Sequence, residues 1–203
     1  VLPSTLRARE DRSQSQRGCR QEGGPVQCVG RVLRVAFGLR YGRLVVTASD
    51  ALPDFWAARR AEMPALPEAV PEAWAFGATP EQADGLLDLV LRGIKDGTAS
   101  SMWDYEATGE PLPEVGELSV VLDGRGEPRA VIETTDLRVV PFDQVDAEHA
   151  RAEGEGDRTL EHWRAVHERY WREHSENDRG FEPDMPVLCE RFRLLWPMPT
   201  DRT

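Results

Sequence analysis

Lysine is nearly missing from this sequence. Of 25 basic residues, 24 are arginines and one is a lysine, Lys95. Arginine keeps its proton at any accessible pH, whereas a desolvated lysine can serve as a base or a proton relay. The plainer reading of Lys95 is a surface cation near a helix C-terminus, where positive charge is favoured. Cysteine is scarce too. Cys19, Cys28 and Cys189 form no CxxC pair and no zinc spacing, which excludes a disulfide framework and suits a reducing cytoplasm. Long apolar runs are missing as well. The stretch from Val29 to Val46 is broken by Arg31, Arg34, Arg40 and Arg43, so neither a membrane span nor a secretory h-region is expected.

Charge is unevenly spread along the 203 residues. Residues 1–50 carry nine arginines against four acids, whereas the remainder carries 16 basic and 32 acidic side chains. So acidic a body is a poor general binder of nucleic acid, because affinity for phosphate comes mainly from basic charge. A pocket for one nucleoside stays open. Residues 1–48, rich in Arg, Ser, Gln and Gly, read as a leader that is disordered or is upstream sequence translated only on paper, with Met63 the first methionine. Residues 49–203 read as the folded domain, and the leader is expected to be removable without loss of fold.

Periodicity places the elements. A short helix opens at Pro53 and is ended by Pro64 and Pro67. Residues 71–77 read as an extended link. Thr79 as N-cap, Pro80 at N1 and Gln82 at N3 then start the clearest helix, with Ala83, Leu86, Leu87, Val90, Leu91 and Ile94 on one face. From Thr98 the period falls to two. Strands are expected at 98–103, 117–123, 129–134, 137–142 and 187–196, with turn chemistry at Gly124-Arg125-Gly126. Asp143 and Asp157 are read as the caps of two further helices. Short strands with inserted helices indicate an α+β fold built on a small, partly open barrel.

Several residues carry chemistry, each beside a plainer alternative. Thr98 is a nucleophile or an ordinary β-branched strand residue, and Ser100 a substrate contact or a strand hydroxyl. Glu153 and Glu155 are interleaved with glycines, which let a backbone approach a ligand closely. They read as a carboxylate rim of a pocket or as a solvated acidic loop. No histidine stands at ligand spacing on one helix face beside them, so neither a metal nor another cofactor is expected. Trp74, Phe76 and Trp103 can stack on a base or fill a core. Arg164 and Arg191 are phosphate or carboxylate contacts, or partners of nearby acids. Trp163 and His167, four apart, read as helix packing.

The runs Trp74-x-Phe76-Gly77, Gly93-Ile94-Lys95-x-x-Thr98-Ala99-Ser100, Pro113-x-x-Gly116, Glu153-Gly154-Glu155-Gly156-Asp157-x-x-Leu160-x-x-Trp163-Arg164-x-x-His167 and Cys189-Glu190-Arg191-Phe192 carry a resemblance. In this order they resemble the ASCH domain, a branch of the PUA-like barrel superfamily, over roughly Asp54 to Trp196. The likeness is to its larger bacterial members. It implies a PUA-like β-barrel with flanking helices and a cleft suited to a nucleoside or single-stranded RNA. Some small bacterial members are amidohydrolases that deacetylate acetylcytidine, and by motif their Lys, Thr and Glu fall on Lys95, Thr98 and Glu155. The chain departs from them in its Gly-x-Gly around Glu155 and its longer helices. Two functions follow from the resemblance: amide hydrolysis on a modified cytidine, or non-catalytic binding of RNA or a nucleotide in the same cleft.

Overall fold

The computed structural model describes residues 48–198, together with the backbone of two short strands, β1 (Leu39–Arg40) and β2 (Arg43–Leu44). These strands fall within the stretch read as leader, and β2 pairs with β3 (Glu72–Phe76). Residues 1–38, 41–42 and 45–47 of that stretch lie outside the described residues.

Between them, α1 (Leu52–Glu62) begins with Pro53 in its first turn, where a missing N–H costs nothing. Its Trp56 is buried and donates its indole N–H to the Pro67 carbonyl at 3.2 Å. The stretch read as an extended link is β3, which pairs in parallel with β5 (Leu118–Leu122). Helix α2 (Pro80–Leu91) starts where its cap residues place it. Thr79 Oγ1 accepts from the Gln82 N–H at 3.2 Å. Gln82 Oε1 reaches back to the Ala78 N–H at 2.7 Å, one residue before the expected cap. Ala83, Leu87 and Val90 are its buried face.

The expected strand at 98–103 is shorter. β4 (Gly97–Ser101) gives way to α3 (Met102–Thr108), whose Asp104 and Tyr105 turn inward and which ends at Gly109 in the left-handed region. The two strands expected at 129–134 and 137–142 are one, β6 (Pro128–Pro141), irregular against its neighbour near Val131/Ile132 and Thr134/Asp136. Such irregularities bend and twist a strand. Asp143 sits in a single 3₁₀ turn (Phe142–Gln144), and the cap of α4 (Ala147–Glu153) is Asp146, accepting from the His149 N–H at 2.8 Å. Similarly, Asp157 accepts from both the N–H and the hydroxyl of Thr159, holding Thr159 to cap α5 (Leu160–His174). β7 (Pro186–Trp196) closes the chain.

The sheet runs β1-β2-β3-β5-β6-β7-β4, antiparallel except between β3 and β5. It forms a half-barrel with helices around it, an α+β architecture. One core joins α2 to the sheet through Trp74, Phe76, Leu87, Val90, Ile132 and Phe192. A second gathers Trp163 and Trp171 of α5 against Phe142, Met185, Val187 and Cys189. Among the described residues no helix is long and apolar enough to cross a membrane.

Candidate functional site

Lys95 follows α2, and a main-chain bond from Asp96 N to Ala152 O (2.8 Å) holds its segment against the end of α4. The close approach needs Gly154. Its φ is 74°, and a Cβ there would stand 2.8 Å from the Ile94 carbonyl oxygen. The lysine is 2% exposed. Its ammonium has three N–H groups and three acceptors: Glu153 Oε2 at 3.1 Å, Glu155 Oε1 at 3.1 Å and the Glu153 carbonyl at 3.4 Å. The Phe76 ring lies 5.3 Å from Nζ.

Glu153 is equally buried and is the hub of the cluster. While Oε2 takes the lysine, Oε1 accepts from Trp163 Nε1 at 2.6 Å and from His149 Nε2 at 3.1 Å. His167 Nε2 lies 3.5 Å from the same oxygen. His167 Nδ1 is 2.9 Å from the Trp163 carbonyl, which can only accept, so Nδ1 carries a proton. Nε2 can then pair with Glu153 only as part of an imidazolium. The ring of Trp163 stacks on that imidazole with centroids 4.1 Å apart.

Burial and charge pull these groups in opposite directions, and charge prevails. Burial pushes the Lys95 amine down, but the charges of Glu153 and Glu155 and their hydrogen bonds raise it above the ordinary lysine value. Burial pushes the Glu153 carboxyl up, yet Lys95 first, then His167 and the histidine hydrogen bonds, hold it well below the usual carboxylate range. His167 is lowered by burial and raised by more through Glu153, ending above its normal value. Lys95 is thus desolvated, as a basic role requires, but rests as a cation.

These groups form one end of a cavity of about 260 Å³ that Thr98 also lines. The walls are apolar and aromatic, from Phe76, Leu86, Val166, Tyr170 and Trp171, with Gly77 and Gln82 at the start of α2. Five of the residues singled out in the sequence therefore meet here: Lys95, Thr98, Glu155, Glu153 and Phe76. The other five do not reach the cavity. Trp74 is core, 5% exposed and edge-on to Phe76 at 4.7 Å. Ser100 is buried within the β4 ladder, and Trp103 lies beneath the Arg179 guanidinium at 5.1 Å. Arg164 donates to the Asp143 carbonyl at 2.7 Å. Arg191 pairs with Asp96 at 3.1 Å and Glu148 at 3.8 Å. Each is occupied by the fold.

The sequence reading gave His149 no role, took His167 only as helix packing, and took Gln82 only as a capping residue, which it also is. An i,i+4 pattern was available for two converging pairs, His149 with Glu153 and Trp163 with His167, but only the second was noticed and it was read as packing. A larger cleft of about 650 Å³ runs along residues 110–117 past Thr134 and Glu190. Its charged lining is carboxylates alone, Glu72, Glu110, Glu114, Glu117 and Glu190, with no basic group, and Thr134 Oγ1 donates to Glu190 Oε1 there at 2.6 Å. Lys95, Thr98 and Glu155 line the smaller cavity instead. Among the described residues no group of three or more carboxylate, imidazole or thiol ligands is arranged to hold a metal ion.

Residues 72–196 match the family model of the ASCH domain. Two solved structures are similar. One is protein EF3133 from Enterococcus faecalis, under the family model DUF984, at 32% identity and a TM-score of 0.65, covering 71% of this chain and 87% of that one. The other is an ASCH domain from Lactobacillus crispatus, at 27% identity and a TM-score of 0.63, covering 71% of this chain and 94% of that one. No protein of curated function matches the chain. On the family match and on the α+β half-barrel described above, the chain belongs to the ASCH domain family and has its PUA-like fold.

Proposed function

We propose that the cavity takes a single nucleoside carrying an acylated amine, in the first place an acylated cytidine, and hydrolyses its amide bond. The observation that carries this reading is the pairing of a desolvated Lys95 with Glu155 in a cavity that Thr98 also lines. At about 260 Å³ the space suits one small ligand rather than a run of nucleotides. Its aromatic walls suit a flat base. The acidity of the chain beyond residue 50 speaks against broad contact with RNA phosphates.

In the resting site Lys95 is an ammonium and Glu155 a carboxylate. A ligand that fills the cavity displaces water from the pair and lowers the local dielectric, which favours neutral partners over ions. A proton can then pass from Lys95 Nζ to Glu155 Oε1 across their 3.1 Å hydrogen bond. The neutral amine accepts the Thr98 hydroxyl proton while Oγ1 bonds to the acyl carbon. As the C–N bond breaks, the Glu155 carboxylic acid gives its proton to the leaving amine. Lys95 is again an ammonium and Glu155 a carboxylate. Water hydrolyses the threonyl ester by repeating the exchange, Lys95 taking the water proton and Glu155 protonating Thr98 Oγ1.

A second reading has its own support. All three N–H groups of Lys95 are engaged by protein acceptors, as in a site that only binds. Incubation with N4-acylcytidines, followed by chromatography of the free cytidine, separates the two. Turnover that survives in Thr98→Ser and disappears in Lys95→Arg supports hydrolysis, since a guanidinium cannot act as a base. Nucleoside binding without turnover in the native protein gives the site to the binding module. Full activity in Lys95→Arg removes the lysine from the mechanism.

A further inference from the structure

Gln82 stands at the third position of α2 and lines the cavity, and its side chain is not free to turn. Its Oε1 accepts from the Ala78 N–H at 2.7 Å. A backbone N–H can only donate, so this contact fixes which end of the amide is oxygen and which is nitrogen. The Gln82 N–H is itself held by Thr79 Oγ1 at 3.2 Å. From the other side Gly77, at φ 73°, lies so close that a Cβ on it would stand 2.7 Å from Gln82 Cβ. No acceptor among the described residues takes a hydrogen bond from Gln82 Nε2. The Ala78 contact therefore orients this side chain, while Thr79 holds the backbone it springs from, leaving its amide donor uncommitted.

The other polar groups of the cavity define what such a donor can meet. Lys95 lies at the buried end with its N–H groups engaged, so it offers an anion nothing without breaking an ion pair. Glu155 is the more open of the two carboxylates that hold it, with its side chain 26% exposed, and it repels a phosphate. Gln82 is at the exposed rim. The reacting amide belongs at the buried end, with Thr98 and the Lys95–Glu155 pair, and the far edge of the base then falls toward the rim.

We propose that Gln82 is a specificity-determining residue that donates from Nε2 to a ring carbonyl of the ligand's base, while Glu155 and the engaged N–H groups of Lys95 make the site select the uncharged nucleoside over its phosphorylated form. This rests on the nucleoside reading above and names the contact by which the site would recognise its base. A pyrimidine meets the requirement through its C2 carbonyl. The contact is made in the bound ground state, so its loss raises KM and Kd and leaves kcat nearly intact.

Gln82→Glu separates this role from helix capping. The glutamate keeps an oxygen for the Ala78 N–H and adds negative charge to the first turn of α2, which favours the helix. It replaces the donor with an acceptor that repels a carbonyl. With the full chain and N4-acetylcytidine, the variant should show KM raised about tenfold or more and kcat within about threefold, at an unreduced melting temperature. Titration with cytidine should show the same loss in Kd, and the native protein should bind cytidine more tightly than cytidine 5′-monophosphate. Unchanged KM and Kd in Gln82→Glu would overturn the assignment while leaving hydrolysis intact. If the native protein binds N4-acetylcytidine and cytidine but releases no acetate from the former, the hydrolase reading fails, and the Kd comparison between native protein and Gln82→Glu still decides the role of Gln82. No binding of either nucleoside to the native protein overturns it.

Discussion

Lys95 Nζ and Glu153 Oε2 stand 3.1 Å apart, both residues 2% exposed, and each gives the other its reason to be charged. Breaking a buried pair from one side leaves an uncompensated charge, at a typical cost of about 3–5 kcal/mol. Lys95→Met should therefore destabilise the domain by about that amount in a urea titration. A loss below about 1 kcal/mol would mean that His167 and His149 alone satisfy Glu153.

The same hub gives stability a pH optimum on the acid side of neutrality. Glu153 has a depressed folded pKa, so its contribution is present above the ordinary carboxylate value of about 4.3 and is lost as pH falls through the folded value. His167 has a raised folded pKa. Its contribution is complete below about 6.5 and is lost as pH rises through that higher value. The melting temperature should peak between about pH 5 and 6.5 and decline above it. His167→Gln should flatten the alkaline decline specifically. A decline of equal slope in the variant would place its cause elsewhere.

What the sequence made legible follows from how local each feature is. The start of α2 could be read residue by residue, because Thr79, Pro80 and Gln82 act within one turn and the apolar stripe repeats behind them. Helix α3 was missed for the opposite reason. It has seven residues, its N-cap Ser101 makes no side-chain cap bond, and it begins directly where β4 ends. Asp143 and Asp157 were misjudged as caps because the true ones, Asp146 and Thr159, are close behind with the same chemistry. At the site, motif resemblance located Lys95, Thr98 and Glu155 but not the network that sets their charge. That network depends on α4 and α5 bringing His149, Glu153, Trp163 and His167 to a lysine 58 residues upstream of Glu153, and no local pattern records the convergence.

Gly154 lets those segments meet. A side chain there would collide with the Ile94 carbonyl, and a residue with a Cβ is strained at φ 74°. Gly154→Ala should cost about 1–3 kcal/mol in denaturant and lower turnover through displacement of Glu155. An unchanged denaturation midpoint would show that the α4 terminus can shift without consequence.

Helix α2 supplies an independent check on the packing. Thr79→Ala removes the 3.2 Å cap bond and should cost about 1 kcal/mol. Leu87→Ala opens a cavity at a residue 3% exposed and should cost about 2–5 kcal/mol. A larger loss at Thr79 than at Leu87 in the same titration would contradict the burial of that face.

The two glutamates that hold Lys95 should separate structure from chemistry. Glu153 is 2% exposed and takes hydrogen bonds from Lys95, Trp163 and His149, with His167 beside it. Glu153→Gln removes the negative charge while Lys95 remains, so the loss should appear as a lower melting temperature together with lower activity. The Glu155 side chain is 26% exposed and faces the cavity. Glu155→Gln should melt near the native temperature, because the amide oxygen can still accept from Lys95 and the buried ammonium keeps its charge partner in Glu153. It should still lose turnover on N4-acetylcytidine by about a hundredfold or more, since an amide can neither take the Lys95 proton nor protonate the leaving amine. Cytidine should bind Glu155→Gln with little change in Kd, because the proton transfers are not part of binding. Native turnover in Glu155→Gln would remove this carboxylate from the proton path and leave Lys95 without the partner that neutralises it.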